Sequence, residues 1–219
     1  DVELLAFLAQ LRRLAGGKPV GIKICPGSHA SIDALCQTMR DEDEWPDFIT
    51  VVGGEGGTGA GELDSIHHAG APVERNLRIV DRALRSVGLR ESVRVFAAGK
   101  IATGFDMARG IALGADACYS ARAMMFALGC VESLKCNTNR CPTGITTMNP
   151  RLEKGLVVED KIERGGRFHR ETLAGLGKLL RAGGLESISQ LRADLFERRT
   201  SAGHIDSMAQ SGAKPERRG

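Results

Sequence analysis

The sequence predicts an α/β fold: a parallel sheet of βα units that makes up the carboxyl-terminal half of a (β/α)8 TIM barrel, with further helices appended. Three observations predict it. Short β-branched runs alternate with amphipathic stretches, which calls for parallel strands joined through helices. The glycine signals at Gly27, Gly53–Gly59 and Gly99 sit just past such runs, at the strand end where barrels and doubly wound sheets place their ligands. And 219 residues fall short of the roughly 250 that a complete barrel takes.

The elements follow in order. Residues 2–14 set Leu4, Leu5, Leu8, Leu11 and Leu14 on one helical face, and Gly16-Gly17 ends it. Val20–Cys25 reads as a buried strand stopped by Pro26-Gly27, and 31–40 as a helix with Ser31 as its cap. Phe48–Val52 is the second strand and runs into the glycine-rich stretch Gly53–Gly59. After a long loop, a helix is expected from Val73 to Val87, then a strand over Val93–Ala98. A helix across Gly104–Leu113 leads to a last strand, Ala117–Ser120. Beyond residue 150, helices are expected over 157–182 and 187–197. The predicted organisation is a partial barrel over 1–150, a helical extension over 151–199 and a polar, disordered tail over 200–219. The pattern opens in mid-helix at Asp1 without an initiator Met, so a fragment or a processed start is expected.

Composition excludes several roles. A net charge of +3, with bases scattered among acids, gives no stripe for nucleic acid, and one Trp and one Tyr supply no base-stacking platform. No stretch reaches about eighteen uninterrupted apolar residues, so no membrane span is expected, and no signal peptide opens the chain. Of the six cysteines, three cluster and three are scattered among apolar neighbours. That usage points to a reducing, cytoplasmic compartment with a cofactor site, not to a disulfide scaffold.

The clustered cysteines, Cys130, Cys136 and Cys141, stand at C-x5-C-x4-C spacing in the loop 129–144. Three thiolates in one loop suit an iron–sulfur cluster, with a [3Fe-4S] form the economical one, because a [4Fe-4S] cluster needs a fourth ligand and Cys118 reads as strand-buried. Zinc and three incidental core thiols stand as alternatives, although structural zinc favours closer pairs and four ligands. Gly99-Lys100 and Ser120-Ala121-Arg122 end the third and fourth strands, where barrels build phosphate sites from backbone N–H groups and bases. Ordinary turn chemistry is the competing reading there. The Gly53–Gly59 stretch is either a ligand loop or a plain surface loop. Lys23 interrupts an apolar strand, where a buried ammonium needs an anionic or electron-rich partner. His67-His68 read as polar loop residues.

Taken together, Gly56-Gly57-Thr58-Gly59-Ala60, His68-Ala69-Gly70, Gly99–Asp106 and the run from Ala127 through Cys130 to Gly144 resemble the FMN-binding barrel domain of glutamate synthase. The likeness runs from about residue 18 to 150, and it is nearest to the stand-alone, archaeal-type FMN-binding family, because the predicted helices over 157–197 follow directly. The resemblance implies FMN at the barrel mouth beside a [3Fe-4S] cluster. It places Lys23 by the flavin ring as the catalytic residue, and Gly54 with Gly56, Gly57, Thr58 and Gly59 by the ring and ribityl chain. It puts Gly99, Lys100, Ser120, Ala121 and Arg122 at the phosphate, and Cys130, Cys136 and Cys141 on the cluster. The implied reaction is reductive amination of 2-oxoglutarate with ammonia to L-glutamate, by an oxidoreductase acting on CH–NH2 groups. Electrons would come from ferredoxin or a pyridine-nucleotide-linked partner, and ammonia from a separate glutaminase subunit. The continuation Cys25-Pro26-Gly27-Ser28-His29 departs from the large glutamate synthase subunits. Two alternatives follow: an N-methylglutamate synthase barrel subunit, which uses methylamine, and an electron-transfer or assembly subunit without turnover. The fragment alone is expected to be inactive and poorly soluble.

Overall fold

Four short parallel strands, paired in the order in which they occur, carry the fold in the computed structural model, which describes residues 1–55, 62, 64, 68–201 and 204–209. They are β1 (Gly21–Ile24), β2 (Phe48–Val52), β3 (Arg94–Ala98) and β4 (Ala117–Tyr119). Parallel neighbours need crossovers. Among the described residues, the helices α2 (His29–Asp41), α3 (Val73–Ser86) and α4 (Gly104–Ala112) lie between them in the chain.

The register separates two faces. Lys23 pairs with Thr50, Thr50 with Phe96 and Phe96 with Ala117, so these share one face. Ile49, Val51, Val95 and Ala97 alternate with them on the opposite face and are fully buried with Met39, Leu77 and Leu84. Each such large apolar side chain contributes about 1.5–3 kcal/mol by leaving water. The first face is only partly covered. Across it, Phe48 stacks on Phe96 at 5.3 Å, and Phe96 meets Tyr119 edge-on at 5.5 Å. Lys23 is exposed there and, among the described residues, has no ion-pair partner, so the expected buried ammonium is not what the fold produces. The reason is that β1 is an edge strand whose inner face looks into the open side of the half barrel.

The amino-terminal helix α1 (Val2–Leu14) buries Leu5 and Leu8. Arg12 fastens it to the chain before β2 through Glu44 at 2.5 Å, Asp47 at 3.2 Å and the Trp45 carbonyl at 2.7 Å. The cap of α2 is Ser28, not Ser31: the two serines form a reciprocal capping box, which moves the helix start to His29. A second such box, Thr103 with Asp106, opens α4. The short helices α5 (Arg122–Ala127) and α6 (Pro150–Glu153) lead to α7 (Val158–Ala182), which lies across α4. Their backbones touch: a Cβ on Gly104 would stand 2.2 Å from the Leu176 nitrogen.

Two expectations fail after α7. Residues 187–197 do not form a helix; they make two 3-10 turns, Ile188–Gln190 and Ala193–Leu195, separated by extended backbone at Leu191 and Arg192. Ile188, Leu191 and Leu195 imitate helical spacing, but the Ser187 capping box closes only one turn. The tail is also not wholly irregular. β5 (Glu197–Ser201) pairs antiparallel with β6 (His204–Ser207), and Met208 is buried, its N–H donating to the Phe196 carbonyl at 2.9 Å. Residues 202–203 and 210–219 lie outside the described residues. Among the described residues, no helix is long and apolar enough to cross a membrane.

Candidate functional site

The carboxyl ends of the four strands bring most of the sequence-predicted residues to one rim. At the end of β1, Lys23 is followed by Cys25, which is exposed and has its sulfur 3.7 Å from the side-chain nitrogen of Asn76. After β2, the Gly54 N–H donates to the Ala71 carbonyl at 3.0 Å. Glycine is required at Gly53, where a Cβ would stand 2.3 Å from the Val73 nitrogen. Gly56, Gly57, Thr58, Gly59 and His67 lie outside the described residues, and His68 is exposed.

Sequence reasoning passed over Glu55 and Asn76. Glu55 accepts from the Val73 N–H at 2.6 Å and so satisfies a donor at the start of α3, while its other oxygen is buried without a partner. Asn76 is fully buried, with its nitrogen on the Val52 and Ala71 carbonyls and its oxygen unpartnered. An acidic residue within a glycine run, and an Asn in the first turns of an apolar helix, were the available signals.

After β3, Gly99 lies against Val73 and Glu55, and Lys100 adopts a left-handed backbone, φ 48°, which is uncommon for a residue with a side chain. After β4, Ser120 donates to the Ile101 carbonyl at 2.8 Å and ties the third and fourth loops together. Ala121 directly precedes α5. Arg122 reaches both ways, to Glu132 at 3.0 Å and to the Glu55 carbonyl at 3.4 Å. One guanidinium thus joins the glycine-rich loop to the cysteine loop.

The cysteine loop is shaped by left-handed turns at Gly129, Glu132, Leu134, Asn139 and Gly144. Alternation of right- and left-handed backbone turns successive N–H groups inward, the geometry that cradles anions and iron–sulfur centres. Cys130 accepts from the Glu132 N–H at 3.4 Å. Cys141 is buried and 3.4 Å from the Thr143 hydroxyl; Cys136 is exposed. Burial pushes the Cys141 thiol up, but hydrogen bonding from Thr143 and Thr146 outweighs it and brings the thiol down to about 6. Among the described residues, no three His, Cys, Asp or Glu side chains are close enough to share a single metal ion.

A sequence profile described as the conserved region in glutamate synthase matches residues 1–186. The chain belongs to the glutamate synthase family. Among the family's members, it is 42% identical over 185 residues to the glutamate synthase large subunit-like protein YerD of Bacillus subtilis, covering 84% of this chain and 35% of that protein. It is 36% identical over 199 residues to the archaeal glutamate synthase [NADPH] of Methanocaldococcus jannaschii, covering 89% and 38%. The chain therefore spans little more than a third of the length of these two relatives. Among solved structures, this glutamate synthase-family chain superposes on the flavin-binding domain of baker's yeast flavocytochrome b2 with a TM-score of 0.52, 14% identity, and coverage of 95% and 41%. Mandelate oxidase carrying an FMN adduct gives a TM-score of 0.50, 16% identity, and coverage of 84% and 44%. These two likenesses establish the fold as a partial (β/α)8 barrel.

Proposed function

We propose that the chain is the carboxyl-terminal half of the FMN- and iron–sulfur-carrying barrel of a glutamate synthase-like oxidoreductase. The observation that carries this reading is the bridge made by Arg122 between the glycine-rich loop after β2 and the cysteine loop after β4. On this reading a flavin site and a cluster site would be neighbours across that one side chain. When bound, FMN and the cluster supply the redox chemistry, delivering electrons to the imine formed from 2-oxoglutarate and ammonia.

The residues present fit both groups. Gly99 and Lys100, joined through Ile101 to Ser120 and followed by Ala121 and Arg122, give backbone N–H groups and two positive charges for a phosphate. Gly54, whose missing side chain lets the Ala69 and Gly70 carbonyls close on it, and Gly56, Gly57, Thr58 and Gly59 are assigned to the ring and ribityl chain. Lys23, exposed on the inner face, would supply a positive charge to stabilise a reduced, anionic flavin. Cys130, Cys136 and Cys141 provide the thiolates, and the N–H groups of their loop stabilise sulfur bearing negative charge.

The test is product formation by the full-length protein given a reductant, 2-oxoglutarate and either ammonia or methylamine. Glutamate from ammonia is the expected outcome. Product from methylamine alone replaces it with N-methylglutamate synthase chemistry, an alternative left open because the Cys25–His29 segment departs from the large glutamate synthase subunits. Bound cofactors without any product would leave an electron-transfer or assembly subunit. Ferredoxin or a pyridine-nucleotide-linked protein is the proposed electron donor, with ammonia from a separate glutaminase subunit.

A further inference from the structure

The entrance to the cysteine loop is packed against α7. A Cβ on Gly165 of that helix would stand 3.5 Å from Leu128 and 3.7 Å from the Met124 sulfur, so this turn of α7 lies on the residues that lead into Cys130. One turn earlier, the Lys161 ammonium stands 3.7 Å from the place a Cβ on Gly129 would occupy, and the Arg164 guanidinium stands 3.8 Å from it. Gly129, at φ 103°, is bonded to Cys130, which sets the ammonium within about 9 Å of the Cys130 Cα. Helix stability does not account for this lysine. It lies in the opening turn of α7, where a cation opposes the helix dipole, and its side chain is only 16% exposed. Its ion-pair partner, Asp160 at 2.9 Å, is the adjacent residue, so the pair ties no second element to the helix. Arg164 approaches the same Asp160 oxygen at 3.9 Å. Two bases thus share one acid, which leaves net positive charge against the loop. The loop 129–144 holds one acid, Glu132, and Arg122 already pairs with it at 3.0 Å.

We propose that Lys161 sets the reduction potential of the iron–sulfur cluster carried on Cys130, Cys136 and Cys141. The inference rests on the function proposed above, in which those thiolates hold a cluster that passes electrons to the flavin. Taking one electron from a donor protein reduces one iron and adds one negative charge to the group on the loop, with no bond made or broken. The net charge around such a group is one of the quantities that fix its potential. A covered ammonium is little screened, so it stabilises the more negative, reduced state more than the oxidised one. Lys161 therefore raises the potential and favours uptake of the electron. Asp160, with the opposite sign and more exposure to water, restrains that effect. Lys161 acts through its field, and what it needs is the fixed position that the packing of α7 on Leu128 and Gly129 provides.

The experiment reduces anaerobically purified full-length protein stepwise with dithionite in the presence of redox mediators. EPR reads the oxidised cluster at each potential, and iron content reports loading. At one fixed potential, Lys161→Gln is expected to lower the reduced-to-oxidised ratio about three- to tenfold. A tenfold change is about 59 mV for one electron. Lys161→Arg, which keeps the charge, should stay within about twofold of wild type, and Asp160→Asn should raise the ratio. An unchanged ratio in Lys161→Gln overturns the proposal. Where Lys161→Gln loads no cluster, Asp160→Asn decides, because it leaves the lysine in place; a ratio that stays or falls there overturns the proposal. A wild-type protein that carries no cluster defeats the proposed function and this role with it. A wild-type cluster whose ratio ignores both substitutions defeats this role alone.

Discussion

Cys36 lies on α2 with 1% of its surface exposed, and removal from water, with a smaller contribution from Asp33, pushes its thiol up to about 11. The folded state therefore holds this proton more tightly than the unfolded chain. The associated stability is fully present below the ordinary thiol range and is lost as pH rises from about 9 to about 11. Denaturant unfolding of the full-length protein should show wild type losing about 2–3 kcal/mol more than Cys36→Ala across that window. Equal pH slopes for the two proteins would refute the assignment. The burial of Cys36 was legible in the sequence, since it stands among apolar helical positions. The role of Arg90 was not. It is 8% exposed and pairs with Asp81 at 2.8 Å and Asp116 at 3.1 Å, groups from separate elements that only the folded chain brings together. Glu55 and Asn76 escaped notice for the same reason.

At the scale of elements, the crossing of α4 and α7 depends on one hydrogen atom. At Gly104 a methyl group would meet the Leu176 nitrogen at 2.2 Å and the Gly175 carbonyl carbon at 2.6 Å, backbone atoms that can move only if the helices part. Gly104→Ala should cost about 2–3 kcal/mol. Gly166→Ala, whose new methyl meets only the end of Arg170 at 3.3 Å, should instead gain about 0.5–1 kcal/mol from helix propensity. Thermal melts of the two variants should shift in opposite directions; parallel shifts would count against the close crossing. Strands and main helices were legible because β-branched runs and amphipathic spacing are local signals. Helix starts were less so, since Ser28 and Ser31 are both competent caps and their mutual hydrogen bonds choose between them. The 187–208 segment was misread because apolar spacing there satisfies a helix, while Met208 and Phe196 are held by tertiary contacts that spacing does not encode.

Across the whole molecule, β1 and β4 form the edges of the four-stranded sheet, and the inner face presents Phe48, Phe96 and Tyr119 with partial cover. Open edges and a partly covered aromatic row favour association. Expressed alone, the 219-residue chain should self-associate in sedimentation velocity, and a monodisperse monomer with a cooperative melt would contradict that. The barrel architecture and its family were legible because four separated motifs occur in one order. The chemistry of the oxo-acid pocket was not, because the chain covers little more than a third of the length of the two relatives named above. The cluster gives the sharpest test of the proposed function: the EPR spectrum of the full-length protein purified anaerobically. An oxidised [3Fe-4S] signal beside flavin absorption, lost in Cys136→Ser, is the predicted result. A colourless, EPR-silent protein with zinc on Cys130, Cys136 and Cys141 would contradict it.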